Sequence, residues 1–106
     1  MINLKELKNC SSFIESNQEI ESLVMDIQVD NRALGKESLF IAIVGERFNP
    51  LEHLEKVVSS GCKYVVCESS DENKSLTNNF SDSINFIFVK LNQTKTNFLI
   101  LKFMRH

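Results

Sequence analysis

The order of apolar and polar residues along the chain predicts an α/β domain. Apolar residues mostly alternate with polar ones over residues 23–30, which predicts a strand with one solvent-facing side. Residues 39–44 are continuously apolar, as in a strand that is covered on both faces. Residues 63–67 and 84–89 predict two more buried strands.

A helix is predicted between the strands at 39–44 and 63–67. Asn49 suits the N-cap, Pro50 the first helical position, and Glu52 completes a capping box. Gly61 is placed to end the helix in a left-handed conformation. The apolar residues expected on one helical face are Leu51, Leu54, Val57 and Val58. Strand, helix and strand form a βαβ unit, so we expect a right-handed crossover and parallel strands.

The remaining segments predict flanking helices of different kinds. Residues 69–83 are rich in Ser, Asn and Asp, and form a loop or a weak helix anchored by Leu76 and Phe80. Residues 94–104 predict a last helix that is apolar nearly all round, so that another domain, another chain or self-association must cover it. The residues of this apolar patch are Phe98, Leu99, Leu101, Phe103 and Met104. The predicted fold is a small mixed sheet with a βαβ unit and flanking helices.

Length and charge restrict the class of protein. The 106 residues predict one domain, spanning 1–106, with a single core. The formal charge of −2, from 12 basic and 14 acidic residues, gives no electrostatic reason to expect nucleic acid. The chain has no run of about 18 apolar residues and no secretory leader, so we expect no membrane span and a cytoplasmic location.

Motifs for catalysis and metal binding are absent from the sequence. The three cysteines have no C-x-x-C spacing, which argues against a zinc site. With three glycines the chain has no phosphate-loop motif and no G-x-G-x-x-G. His53 has no obvious nucleophile partner, and the carboxylates form no clear acid and base pair. We therefore assign no catalytic residue, no metal site and no cofactor to this chain.

Two polar segments on either side of the strand at 39–44 are candidates for ligand binding. Arg32 follows a strand end and is able to hold a phosphate through paired hydrogen bonds, although a surface ion pair is the simpler alternative. Gly45, at the end of the buried strand, lets backbone approach a ligand or permits an ordinary turn. The helix start at Asn49 is expected to add anion affinity through free N–H groups.

The two segments and the strand between them form an ordered motif, which consists of Asp30-Asn31-Arg32, Gly35, Leu39-Phe40-Ile41-Ala42-Ile43 and Gly45. This motif resembles the N-terminal domain of the Mur ligases, which build the peptidoglycan stem peptide. That family has a strand, Asp-Ser-Arg, a glycine, a strand of the type Leu-Phe-Val-Ala-Ile, and a glycine-containing loop. Gly45-Glu46-Arg47-Phe48 resembles most closely the branch that adds D-alanyl-D-alanine to the UDP-N-acetylmuramoyl tripeptide. The resemblance covers roughly residues 20 to 105.

The resemblance implies a UDP-binding domain that holds the UDP-N-acetylmuramoyl peptide. Full-length ligases form an amide bond with ATP and Mg²⁺ in a central and a C-terminal domain, and those two domains are not in this chain. The implied substrate-binding residues are Asp30, Asn31, Arg32, Gly45, Glu46, Arg47 and Asn49. The sequence departs from the family where Asn31 replaces a serine and where Asn49-Pro50-Leu51 replaces Asp-Gly-His.

Two alternatives remain open from the sequence. The ligase that adds the third, diamino or lysine, residue shares the Asp-Ser-Arg pattern, and only residues 45–48 argue against it. A stand-alone, non-catalytic interaction module with the same fold would instead use its apolar residues near the C-terminus to dimerise or to bind a partner.

Overall fold

Strands and helices alternate between residues 38 and 89. The computed structural model describes residues 2–3, 13–18, 23–24, 26–28, 31–42 and 49–90. The strands within these ranges are β1 (Ile2–Asn3), β2 (Phe13–Ser16), β3 (Leu23–Val24), β4 (Asp26–Gln28), β5 (Ser38–Ile41), β6 (Tyr64–Glu68) and β7 (Asn85–Val89). The α-helices are α1 (Leu54–Ser60) and α2 (Asp71–Thr77).

Five of the strands form one mixed sheet in the order β2-β7-β6-β5-β4. Strands β4, β5, β6 and β7 are parallel, and β2 joins β7 in antiparallel orientation. The short strands β1 and β3 pair with each other as a separate antiparallel ribbon. The predictions of an α/β fold, a mixed sheet and a parallel βαβ unit are therefore confirmed.

The main core lies between the sheet and the two helices. Phe40, Val65 and Phe86 are in register on neighbouring strands and therefore share one face of the sheet. Strands β5, β6 and β7 follow one another in the same direction, so right-handed crossovers leave both helices on this face. The buried members of the cluster are Phe40, Ala42, Leu51, Leu54, Val57, Cys62, Val65, Cys67, Ile84, Phe86 and Phe88.

The opposite face of the sheet is buried as well. Leu39 and Ile41 on β5 and Val66 on β6 have no exposed surface, nor do Ile87 and Val89 on β7. A strand that is buried on both sides has no reason to alternate, which is why residues 39–42 are apolar without a break. The prediction of a doubly covered strand is confirmed for this part of the run.

The helix after β5 begins where the sequence predicts. Asn49 is extended (φ −116°, ψ 111°), and its side chain accepts a hydrogen bond from the backbone N–H of Leu51. Pro50 occupies the first position, where a missing N–H costs nothing. The first turn, Pro50–His53, is a 3₁₀ helix that continues into α1. The predicted cap is confirmed.

The same helix ends at the predicted glycine, but its apolar face is narrower than expected. Gly61 has φ +86° and its N–H donates to the carbonyl of Val58, which is a left-handed C-cap. Leu54 and Val57 are buried, whereas Val58 is 38% exposed. The prediction that Val58 is buried with the others is wrong. The 3₁₀ first turn, at about 120° per residue, brings Leu51 into line with Leu54, so the buried stripe shifts towards Val57 and Val58, about 100° from Val57, is left at its margin.

Two parts of the sheet differ from the sequence prediction. Residues 23–30 were expected to form one strand, but the described pieces are β3, which pairs with β1, and β4, which pairs with β5. The alternating pattern runs through both pieces, so periodicity does not reveal that their partners differ. Strand β2 was not predicted.

Side-chain contacts of Glu15 and Asn17 attach β2 and the bend after it to the rest of the domain. The Asn17 amide donates to the carbonyls of Ser81 (2.9 Å) and Ile84 (3.0 Å) and accepts from the N–H of Phe86 (2.6 Å). The Lys74 ammonium on α2 lies 2.9 Å from the Glu15 carboxylate. These contacts join residues that are distant in sequence, so the sequence pattern of β2 alone does not predict them.

The segment after β6 is more helical than a loop. Helix α2 is followed by a 3₁₀ turn, Asn78–Phe80. Leu76 and Phe80 pack against the core as predicted. The predicted apolar patch at residues 98–104 lies outside the described residues. No helix in the described ranges is long and apolar enough to cross a membrane.

Candidate functional site

The candidate site lies at the carboxyl ends of the parallel strands, which together form one edge of the sheet. Of the seven predicted binding residues, the structure describes Asn31, Arg32 and Asn49. The other four lie outside the described residues: Asp30, Gly45, Glu46 and Arg47.

The first polar segment lies on the short crossover from β4 to β5, of which residues 31–37 are described. A single 3₁₀ turn, Asn31–Ala33, follows the end of β4, and Arg32 in its middle is exposed. The crossover ends in a tight turn in which the N–H of Gly35 donates to Ser38 Oγ (3.0 Å) and the N–H of Ser38 donates to the Gly35 carbonyl (3.2 Å). Such a short crossover leaves no length for a full helix, so the guanidinium stands on a turn at the surface.

The second polar segment is the helix start after β5. Leu51 N–H donates to Asn49 Oδ1 and Glu52 N–H donates to the Asn49 carbonyl, both at 3.0 Å. Pro50 has no N–H to offer. The helix start therefore satisfies its own donors, and the expectation of free N–H groups for an anion is wrong for Leu51 and Glu52.

The sheet topology brings the two segments to one edge. Strands β4 and β5 are parallel neighbours, with Ile27 in register with Leu39. Arg32 follows the carboxyl end of β4 and Asn49 follows that of β5, so both come after the same edge of the sheet. Gly35 lies towards the opposite edge, where a Cβ placed on Gly61 would be 2.9 Å from the Lys36 Cγ.

The described part of the sheet has no reversal of strand order among its parallel strands. From β4 to β7 the order in space follows the order in the chain. Ligands of open α/β sheets usually bind in the crevice where this order reverses. A site at this edge therefore has to be formed by the loops themselves.

The comparisons with known proteins add no family. No protein-family model matches the chain, and no curated protein matches it. A relationship to the Mur ligases consequently rests on the motif around β5 and remains a proposal.

A third polar segment at the same edge was not recognised from the sequence. Ser70 caps α2 by accepting from the N–H of Asn73 (3.1 Å), and the buried Asn73 amide donates to the carbonyl of Glu68 (2.9 Å). The Ser69 N–H donates to the carbonyl of Val89 on the neighbouring strand (2.8 Å). The signal in the sequence is a serine followed three residues later by a polar side chain. The segment is internally hydrogen-bonded, so it supports the edge and offers little to a ligand.

The two described cysteines, Cys62 and Cys67, are both buried. Burial raises the pKa of the Cys67 thiol from its ordinary 9.0 to about 12, so it stays protonated and unreactive at neutral pH. The Cys62 thiol is buried, and its one S–H has two acceptors within reach, the carbonyls of Ser38 and Tyr64, each 3.4 Å from the sulfur. Within the described ranges, no three His, Cys, Asp or Glu side chains are grouped to hold a metal ion.

Proposed function

We propose that this chain is the substrate-binding N-terminal domain of a Mur-type ligase, nearest the branch that adds D-alanyl-D-alanine. Its ligand is the UDP-N-acetylmuramoyl tripeptide. The observation that carries the proposal is the ordered motif around β5, whose two polar segments follow neighbouring parallel strands and therefore face the same edge. The proposal implies a bacterial, cytoplasmic protein.

In the proposed complex, Arg32 binds the diphosphate. Its guanidinium is exposed, and a planar fork of N–H donors matches two phosphate oxygens at once. Asn49 contributes less, because its Oδ1 is engaged in the helix cap and only its amide group is left to donate. The other five residues of the proposed site are assigned from the resemblance alone: Asp30, Asn31, Gly45, Glu46 and Arg47.

The proposed role is binding and not catalysis. Amide formation in this class proceeds through an acyl phosphate, with ATP and Mg²⁺ held by other domains. Cys67, whose pKa is raised by burial, lies in the core, away from any substrate. The chain would therefore hold the uridine end of the substrate for chemistry carried out elsewhere.

Calorimetry with the UDP-muramoyl tripeptide, and separately with UDP, tests this proposal. We expect both ligands to bind the wild type, and Arg32→Ala to weaken binding by about tenfold or more, since a charge-assisted hydrogen bond contributes roughly 1.5–3 kcal/mol. Arg32→Lys should recover part of the loss by restoring charge without the fork.

Lys63→Ala is the matched control for charge. Lys63 is exposed and precedes β6, at the opposite edge of the sheet, so its removal should change affinity by less than about twofold. A folded wild type that binds neither ligand would overturn the proposal. An equal loss in Arg32→Ala and Lys63→Ala would show a general charge effect and no site at Arg32.

The two alternatives give different results. A ligase domain that adds the third residue would bind the UDP-muramoyl dipeptide more tightly than the tripeptide. A stand-alone interaction module would bind no UDP ligand and would sediment as a stable dimer. Sedimentation velocity of the same protein sample distinguishes this last case from a monomeric binding domain.

A further inference from the structure

We draw no further inference here: the strongest candidate, the outer edge of strand β2 with the exposed side chain of Ile14, carries none because nothing among the described residues shows what covers it.

Discussion

The two crossovers that flank β5 use their residues in different ways. The crossover from β5 to β6 contains a capped start at Asn49, a buried apolar stripe that includes Leu54, and a left-handed end at Gly61. The crossover from β4 to β5 has one 3₁₀ turn, the partly buried Leu34 as its apolar anchor, and a turn at Gly35. Each has a polar residue, an apolar anchor and a glycine, in the same order.

The two crossovers differ in how far their polar residues are exposed and in how far they are used to hold the fold. In the crossover from β5 to β6, the cap accepts the helix donors, the stripe fills the core, and the glycine closes the last turn. In the crossover from β4 to β5, Arg32 lies exposed on the 3₁₀ turn. Polar residues at one edge of a sheet are thus not equivalent, and Arg32 is the stronger candidate for binding.

Substitution of the apolar anchors should show the largest difference in stability between the two crossovers. Leu54 is buried in the core, so Leu54→Ala should lower the free energy of unfolding by about 2–5 kcal/mol. Leu34→Ala removes a partly buried side chain and should cost about half as much. Urea denaturation of both variants measures the difference. Equal losses would mean that the crossover from β4 to β5 is as tightly packed as the other one.

Substitution of the two glycines should show the second-largest difference in stability. Gly61→Ala forces a side chain into φ +86° and towards the Lys36 Cγ at 2.9 Å, and should cost about 1–2 kcal/mol. Gly35→Ala meets nothing within 4 Å and should change stability by less than about 0.5 kcal/mol. Thermal melts of the pair test this, and a Gly35→Ala loss as large as that of Gly61→Ala would contradict the assignment of Gly61 as the constrained position.

The polar residues should show the smallest difference in stability. Asn49→Ala removes the acceptor for the Leu51 N–H and should cost about 1 kcal/mol, and Asn49→Ser should recover most of it because serine also caps. Arg32→Ala should cost less than about 0.5 kcal/mol, since the side chain is exposed. Chemical denaturation gives both values. A failure of serine to rescue Asn49→Ala would remove capping as the role of Asn49.

Local signals in the sequence were sufficient to predict the central part of the fold. The cap at Asn49, the glycine at 61 and the unbroken apolar runs predict a helix between parallel strands, and each signal acts within a few residues of its effect. Strand β7 and the anchors Leu76 and Phe80 were found in the same way.

The two errors in the strand predictions, at β2 and at residues 23–30, have a common physical origin. Strand β2 is attached by Asn17, whose partners are more than sixty residues away, and the division of residues 23–30 depends on which strands lie beside them. Pairing partners are properties of the folded sheet, so the pattern of a single segment does not contain them.

The candidate site was predicted only as a placement of residues. The sequence indicated two polar segments on either side of the strand at 39–44, and only the topology shows that Arg32 and Asn49 follow the carboxyl ends of neighbouring strands. Whether a polar atom is available to a ligand depends on its hydrogen bonds, and the engagement of the Leu51 and Glu52 N–H groups emerged only from the geometry.

The most direct test of the central claim is the titration of ¹⁵N-labelled protein with UDP, followed through assigned amide shifts. We predict the largest changes at Arg32 and Ala33, smaller ones at Asn49 and Leu51, and little change at Gly61 and Lys63 at the opposite edge. Unchanged spectra at millimolar UDP, or changes centred on Gly61 and Lys63, would contradict the proposal that this edge binds the nucleotide.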